Sequence, residues 1–187
     1  MELFYIREII AGNTARFVYF VDTYKHLAFT IAYRIVENHE DAEEVVQDAF
    51  VKAFTSLHSF RQDSKFSTWL YKIVVNTALS KTRRKKLSMT DNDTNVIEEI
   101  AIDGIEDAYV KLAQEEQKRI IHTAFEEMNM EDSLLMTLFH LQELTLDEIM
   151  EITGIPKENI KVKLHRARKK MFTILEKQLG ADLKQMI

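Results

Sequence analysis

Cysteine is absent from this sequence, and only one proline and four glycines occur among its 187 residues. Without cysteine the chain can form neither disulfide bonds nor thiolate metal sites, so nothing in it requires an oxidising compartment. So few glycines and prolines leave too few turn residues for hairpins or sandwiches of β-strands. Since 46% of the residues are hydrophobic, which is ordinary for a folded protein, we expect the chain to fold. The scarcity of glycine and proline then predicts an all-α fold.

Long apolar runs are missing too. No stretch approaches the ~18 apolar residues that a membrane-spanning helix needs. The N-terminal segment MELFYIREIIAGN mixes acids with apolar residues and lacks the small-residue cleavage site of a signal peptide. We therefore expect a soluble, cytoplasmic protein.

The sequence motifs of enzymes and metal sites are absent as well. None of the six histidines belongs to a His-Glu-x-x-His pattern, and neither a glycine-rich phosphate loop nor a Gly-x-Ser-x-Gly motif occurs. We therefore expect a protein that is not an enzyme and has no catalytic residue, metal or cofactor.

The net charge of −5 argues against nucleic acid as a partner, but the distribution of the charges reverses that argument. Ser64–Thr90 contains seven Lys or Arg and no acid, and Lys157–Lys170 contains seven Lys or Arg and one acid. These segments carry +7 and +6, so the other 146 residues carry −18. Such segregation predicts two basic surfaces for DNA on a chain whose remaining surface is acidic.

The clearest local pattern is a pair of short helices joined by a turn near the C-terminus. Thr145 and Glu148 have the spacing of a capping box, which predicts that a helix begins there. Gly154 suits the left-handed residue that ends such a helix, and Pro156 prevents the helix from continuing. A second helix is predicted from about Lys157.

This second helix has an apolar and a basic side. Residues at helical spacing predict the packed side: Ile160, Leu164, Ala167, Met171 and Ile174. The opposite side carries Val162, His165, Arg166 and Lys169, flanked by Lys161 and Lys163. The pattern is typical of a helix-turn-helix whose second helix enters the DNA major groove. The alternative is the solvated basic face of an ordinary helical bundle.

The other basic segment combines cations with aromatic residues. A loop, HSFRQDSKF, precedes a helix that begins near Ser67. One side of this helix is predicted to face outward, with Trp69 at the border: Lys72, Val75, Asn76, Leu79 and Arg83. Cations that hold phosphates and aromatic rings that stack on bases are typical of single-strand binding. The alternative is that Phe66, Trp69 and Tyr71 belong to the core.

Two further segments are acidic. Glu37–Asp48 contains six acids and no Lys or Arg, more than a helix dipole requires, so it is either a solvated face or a docking face for a basic partner. Asp91–Asp107 contains seven acids and no Lys or Arg within an irregular stretch, which indicates a linker. The sequence therefore predicts two small helical domains, 1–86 and 111–187, joined by the acidic linker 87–110.

Three motifs resemble those of bacterial RNA polymerase sigma factors, specifically the small extracytoplasmic-function (ECF) group. They are DAEEVVQDAFVKAF, FRQDSKFSTWLYKIVVNTALSKTRRKK and LTLDEIMEITGIPKENIKVKLHRARKKM, which span Asp41–Phe54, Phe60–Lys86 and Leu144–Met171. The similarity covers roughly Asn13–Leu175. The resemblance implies a factor that binds core RNA polymerase, recognises the −35 and −10 elements of promoter DNA, and opens the duplex.

The resemblance also implies residue roles. The first domain, sigma region 2, would bind the clamp helices of the polymerase β′ subunit through Asp41, Glu44, Gln47 and Asp48. It would hold the opened −10 element with Phe60, Arg61, Asp63, Ser64, Lys65, Phe66, Trp69, Lys72, Asn76 and Arg83. The last domain, region 4, would contact the β flap and read the −35 element with Lys161, Val162, Lys163, His165, Arg166 and Lys169. The family further implies an anti-sigma partner, often membrane-bound.

Two positions depart from the family. Its members often have a small polar residue where Val162 stands, and a valine can touch a thymine methyl but cannot donate a hydrogen bond. They often have Arg where Lys163 stands, and lysine lacks the planar fork of arginine, which favours a phosphate contact. The −35 sequence therefore cannot be carried over from relatives. A stand-alone helix-turn-helix regulator that binds duplex DNA without polymerase is the main alternative function.

Overall fold

The computed structural model describes residues 1–88, 119–141 and 143–179. Within these ranges the chain is helical and contains no strand, and the all-α prediction is confirmed. The helices are α1 (Glu2–Ile10), α2 (Val18–Val36), α3 (His39–Thr55), α4 (Phe66–Ser88), α5 (119–126), α6 (Met130–Met136), α7 (Leu146–Thr153) and α8 (Lys157–Leu179). Short 3₁₀ turns occur at Thr14–Phe17 and Leu57–Ser59, and a π-helical turn at Thr137–Leu141 follows α6. Most of the predicted linker 87–110 lies outside the described residues.

The first domain is a three-helix bundle of α2, α3 and α4, with α1 packed at its edge. Fully buried side chains from all three bundle helices form its core: Phe20, Ile31, Val45, Leu70 and Val74. Helix α2 ends at Glu37, which is left-handed with φ 54°, and the Asn38 side chain then caps α3 by accepting a hydrogen bond from the Asp41 amide at 2.8 Å. The tight α2–α3 turn makes these two helices antiparallel neighbours.

The second domain packs α6, α7 and the π-helical turn against α8. Its buried core includes Leu135, Leu138, Ile149, Ile160 and Leu164. Burying each such side chain contributes roughly 1.5–3 kcal/mol relative to leaving it exposed. Because Ile160 and Leu164 are one turn apart, they fix the rotation of α8 and thereby decide which of its residues face outward.

The predicted helix-turn-helix is present. Thr145 and Glu148 form both hydrogen bonds of a capping box at the start of α7. Gly154 ends α7 in the left-handed conformation with φ 73°, and α8 begins at Lys157 as predicted. The Lys157 ammonium reaches back to the Asp147 carboxylate at 2.7 Å and links the two helices across the turn.

The two domains contact each other at two places. Helix α7 packs against α4, and helix α2 packs against α6 and the neighbouring α5. An ion pair crosses the first contact, between the Lys65 ammonium and the Glu148 carboxylate at 2.8 Å. Among the described residues, none of the helices has the length and apolar character required to cross a membrane.

The conformation of Gly154 supplies a test of the turn. A Cβ at this position would meet no atom within 4 Å, so Gly154→Ala changes only the backbone preference. We expect it to lower the free energy of unfolding by about 1 kcal/mol. An L-residue in the left-handed region costs roughly 1–2 kcal/mol, and part of this cost is offset because alanine reduces the conformational entropy of the unfolded chain.

Urea unfolding of both proteins measures this loss. Gly154→Asn is the matched control, since asparagine tolerates the left-handed region, and it should lose less than the alanine variant. Equal stability of all three proteins would show that the left-handed turn is not required.

Candidate nucleic-acid and protein interfaces

The outer face of α8 is open to solvent. Its buried residues Ile160, Leu164 and Ala167 are packed against the rest of the domain, which turns the predicted basic face away from the core. The exposed residues on that face are Lys161, Val162, His165, Arg166 and Lys169. Val162 is 49% exposed, as expected for a residue available to a base edge rather than to the core.

Lys163 differs from the other predicted −35 residues. Its ammonium lies 2.6 Å from the Glu131 carboxylate of α6, and both side chains are partly covered. Because its charge is paired inside the domain, Lys163 fixes α8 on α6 in this structure and is not presented with the outward face. The direct DNA contact at Lys163 stays a prediction, and it would require this ion pair with Glu131 to break.

Arg168, which sequence reasoning did not single out, also anchors α8. Its Nε donates to the His140 Nε2 at 3.0 Å, and its guanidinium lies 5.2 Å from the centre of the Phe139 ring. Burial and the adjacent arginine charge lower the pKa of His140, which keeps the imidazole neutral and able to accept. In the sequence, the only indication of this role is that Arg168 lies on neither the apolar nor the basic face of α8.

The loop before α4 exposes the polar residues of the predicted −10 site. Arg61, Asp63 and Lys65 are exposed and Ser64 is half-buried. The loop turns at Gln62, which is left-handed with φ 63°. On α4 the exposed residues Lys72, Asn76 and Arg83 continue the surface, with Lys72 and Asn76 one turn apart. The structure therefore brings a loop and a helix face together into one basic surface.

The aromatic residues of this segment occupy a different position. Phe66 is 2% exposed and Phe60 9% exposed, and both rings pack against Trp69 with centroids 5.6 and 5.3 Å away. Both rings are buried in this packing and support the loop from beneath, and their contribution to the −10 site stays a prediction. Val75, predicted to face outward on α4, is also buried, because α4 packs against α2, α3 and α7.

Asp41 on α3 has an internal role. Its carboxylate lies 3.0 Å from the Lys81 ammonium and 2.8 Å from the Lys85 ammonium of α4, and its side chain is only 19% exposed. Burial alone would raise the pKa of Asp41, but the hydrogen bonds from Lys85 and Lys81 outweigh it and hold that pKa below its ordinary value. In this structure the charge of Asp41 joins α3 to α4, and its assignment to a partner surface stays a prediction.

The remaining acids of α3 stay on the surface. Glu44 also pairs with Lys81, at 2.6 Å, but its side chain is 65% exposed and remains accessible. Gln47 and Asp48 are exposed one turn further along, as are Glu40 and Glu43 on the preceding turn. The acidic face is thus present without Asp41, and it can bind a basic protein surface.

Glu148 belongs to both the capping box and the contact between the domains. Its carboxylate accepts from the Lys65 ammonium, the Thr145 amide and the Thr145 hydroxyl. Although burial would raise the pKa of Glu148, these hydrogen bonds lower it, so the carboxylate remains charged. Sequence reasoning missed this contact because the two residues belong to different domains.

The part of the chain that the structure describes contains no group of three or more His, Cys, Asp or Glu residues that could hold a metal ion. The surfaces that it does contain are polar, charged and exposed. They have the chemistry of macromolecular binding rather than of an enclosed reaction site.

Family models match both domains. The model described as Sigma-70 region 2 matches residues 20–87, and the model described as Sigma-70, region 4 matches residues 118–171. The first match includes α2, α3 and almost all of α4, and the second includes the helix-turn-helix.

Curated relatives cover most of the chain. It is 33% identical over 184 residues to the ECF RNA polymerase sigma factor SigW of Bacillus subtilis (strain 168), covering 93% of this chain and 94% of that protein. It is 31% identical to the RNA polymerase sigma factor SigV of the same strain, with coverages of 84% and 90%. It is 30% identical to the ECF RNA polymerase sigma-E factor of Escherichia coli (strain K12), with coverages of 87% and 88%.

Solved structures share the fold. CnrH, solved in complex with the cytosolic domain of CnrY, gives a TM-score of 0.64 at 19% identity over 92% of this chain and 96% of that one. The sigma factor RpoE, solved in complex with the anti-sigma factor NepR from Bartonella quintana, gives a TM-score of 0.67 at 22% identity over 86% and 96%.

The ion pairs of Asp41 predict a pH-dependent stability. Asp41→Asn should lower the free energy of unfolding at pH 7 by about 1.5–3 kcal/mol, because it removes charge-assisted hydrogen bonds to Lys81 and Lys85. The folded pKa lies below the unfolded value of 3.8, so this contribution is present above pH 3.8 and is lost as the pH falls through the folded pKa.

Urea unfolding between pH 7 and pH 3 checks this prediction. The difference between wild type and Asp41→Asn should be constant from pH 7 to about pH 5 and shrink below that. Asp48→Asn, an exposed acid on the same helix, is the control and should change stability little at any pH. A difference that does not depend on pH would show that the Asp41 charge is not what matters.

Proposed function

This chain belongs to the extracytoplasmic-function group of RNA polymerase sigma factors, and we propose that three exposed surfaces make its contacts with promoter and polymerase. As a sigma factor it binds core RNA polymerase and directs promoter-specific initiation of transcription, and it is not an enzyme. The proposal assigns the outer face of α8 to the −35 element, the loop and outer face of α4 to the −10 element, and the acidic face of α3 to the polymerase.

One observation carries this assignment: two basic surfaces are exposed on two separate domains of an otherwise acidic chain. The α8 surface is a continuous helix face, which fits the width of the duplex major groove. The α4 surface is a helix face with an adjoining loop, and its side chains include an amide as well as cations. Such a surface suits a strand whose bases are unpaired.

At the −35 element, Arg166 and His165 lie at the centre of the α8 face and are proposed to reach base edges. Lys161 and Lys169 at its margins are proposed to hold phosphates. Val162 offers an apolar contact for a thymine methyl group. Lys163 is proposed to act through its ion pair with Glu131, which holds α8 against α6.

At the −10 element, Lys65 and Lys72 are proposed to hold the phosphates of the opened strand, with Arg83 further along α4. Asn76 is proposed to read a base, since an amide both donates and accepts hydrogen bonds. Arg61, Asp63 and Ser64 line the loop that would receive an unstacked base. Unstacking costs a few kcal/mol per step, which the contacts to the loop and to the phosphates offset.

For the polymerase we propose Glu44, Gln47 and Asp48 as the contacts to the β′ clamp helices, and the second domain as the contact to the β flap. We also propose an anti-sigma partner, since the structurally similar RpoE was solved with the anti-sigma factor NepR. The proposed domains remain 1–86 and 111–187 with the linker between them, although α4 continues to Ser88, so that the first boundary falls in its last turn.

Reversing one charge on α3 tests the polymerase surface. Asp48→Lys should reduce the amount of core polymerase that co-purifies with the chain by about tenfold or more, because it places a cation against a basic surface. Asp48 is preferred to Glu44 because Glu44 is paired with Lys81, and its reversal would also disturb α4.

Glu176→Lys makes the same change of net charge on an exposed turn of α8 and serves as the control. It should co-purify with polymerase as well as wild type does. Undiminished binding by Asp48→Lys would remove the acidic face of α3 from the proposal.

A second test separates base reading from helix positioning on α8. Arg166→Ala should weaken binding to the cognate −35 element by about 1–3 kcal/mol and relax its specificity, if Arg166 reads a base. Lys163→Ala should instead lower the stability of the domain, because it leaves Glu131 unpaired, and should affect all DNA sequences alike.

The promoters for this test are mapped by transcribing genomic DNA with core polymerase and this chain. Binding of holoenzyme to a mapped promoter and to variants with substituted −35 bases then gives the specificity. An equal loss on every sequence for Arg166→Ala would make Arg166 a phosphate contact.

A further inference from the structure

An apolar side chain lies in the middle of the basic face of α4. Residues at helical spacing form a single exposed stripe along this face: Lys72, Asn76, Leu79 and Arg83. Leu79 is 37% exposed, whereas Val75, one turn earlier, is buried against the bundle and helps to fix the rotation of α4. The proposed −10 surface gives a role to the cations and the amide of the stripe, and it gives none to Leu79.

The hydroxyl groups next to Leu79 are already hydrogen-bonded within α4. The Ser80 hydroxyl donates to the Asn76 carbonyl at 2.7 Å, and the Thr82 hydroxyl donates to the Ala78 carbonyl at 3.1 Å. Both donors are satisfied, so what this turn of α4 offers to a partner is the apolar side chain of Leu79. On a DNA base the group that suits such a side chain is the C5-methyl of thymine, which lies on the major-groove edge.

The outer face of α8 has the same arrangement. Val162 is 49% exposed and lies between Lys161 and Arg166. Each proposed DNA surface therefore has an exposed aliphatic side chain flanked by cations. Cations hold the phosphates of any sequence, whereas an aliphatic side chain distinguishes thymine from a base that lacks the methyl group. Leu79 can thus supply a discrimination between bases that Lys72 and Arg83 cannot.

We propose that Leu79 is a specificity-determining residue that contacts the C5-methyl group of a thymine in the −10 element. This inference rests on the proposed function of the α4 surface. At a rise of about 1.5 Å per residue, Leu79 lies roughly 20 Å along α4 from the loop that precedes the helix and about 5 Å from Asn76. The thymine therefore belongs to the end of the element away from the loop, within one or two base steps of the base that Asn76 reads.

Deoxyuridine tests this contact, because it differs from thymidine only in lacking the methyl group. Holoenzyme assembled from core polymerase and this chain is bound to a fluorescein-labelled duplex of a mapped promoter, in which the thymines of the −10 element are replaced one at a time. For the wild-type chain, one replacement at the end away from the loop should weaken binding about two- to fivefold in fluorescence anisotropy, the factor that burial of one methyl group supplies.

Leu79→Ala should bind the thymine and deoxyuridine promoters equally, because it removes the side chain that meets the methyl group. Leu79→Met keeps an apolar side chain of similar reach and should retain the difference. Leu3→Ala is the matched control, since it makes the same change at an exposed leucine of α1 in the same domain, and it should also retain the full difference. If Leu79→Ala does not fold, Leu79→Asn replaces it, since asparagine keeps the approximate size of leucine without its apolar character.

Two results would overturn the proposal. The first is a wild-type chain that binds every deoxyuridine promoter as tightly as the thymine promoter. The second is a folded Leu79→Ala or Leu79→Asn chain that keeps the preference for thymine, even at a lower overall affinity, since Leu79 would then act on the packing of α4 and not on the base.

Lys72→Ala and Asn76→Ala in the same assay separate this inference from the proposed function. If both variants bind the promoter as tightly as wild type does, the assignment of the α4 face to the −10 element has failed, and the role of Leu79 fails with it. If they bind more weakly while Leu79→Ala keeps the preference for thymine, only the role of Leu79 has failed.

Discussion

The packing of helix α4 decides which of its side chains can meet a partner. Leu70 and Val74 are buried against α2 and α3, and Phe66 lies beneath the loop at its start. At roughly 1.5–3 kcal/mol for each buried side chain, this packing exceeds what any single surface contact could offer. The rotation of α4 is therefore set by the core, and Lys72 and Asn76 are exposed as a consequence. The proposed −10 surface is the part of α4 that the core leaves uncovered.

Ion pairs inside the molecule account for part of the charge that the sequence places on its surfaces. Asp41 and Lys81 join α3 to α4, and Lys163 and Glu131 join α8 to α6. These residues belong to segments whose charge predicts an external partner, but their own charges are paired within a single domain. The net charge of a segment thus indicates the sign of the surface charge, whereas the packing decides which charged residues remain available to a partner.

The contact between the domains connects the two proposed DNA surfaces. Helix α7 supports α8 in the helix-turn-helix and also packs against α4, so the same element contacts the helices that carry both proposed DNA surfaces. A partner that binds both domains can exchange these contacts for its own.

The sequence by itself determined the helical class, the family and the helix-turn-helix with its exposed face. These depend on interactions between near neighbours: the capping box pairs Thr145 with Glu148, and helical spacing alone separates Ile160 and Leu164 from Arg166. Tertiary structure decided the internal roles of Asp41 and Lys163, whose partners lie 44 and 32 residues away along the chain. It also decided the burial of Phe66 and the pairing of Lys65 with Glu148. Contacts of this kind depend on how helices and domains pack, and no periodicity in the sequence records that packing.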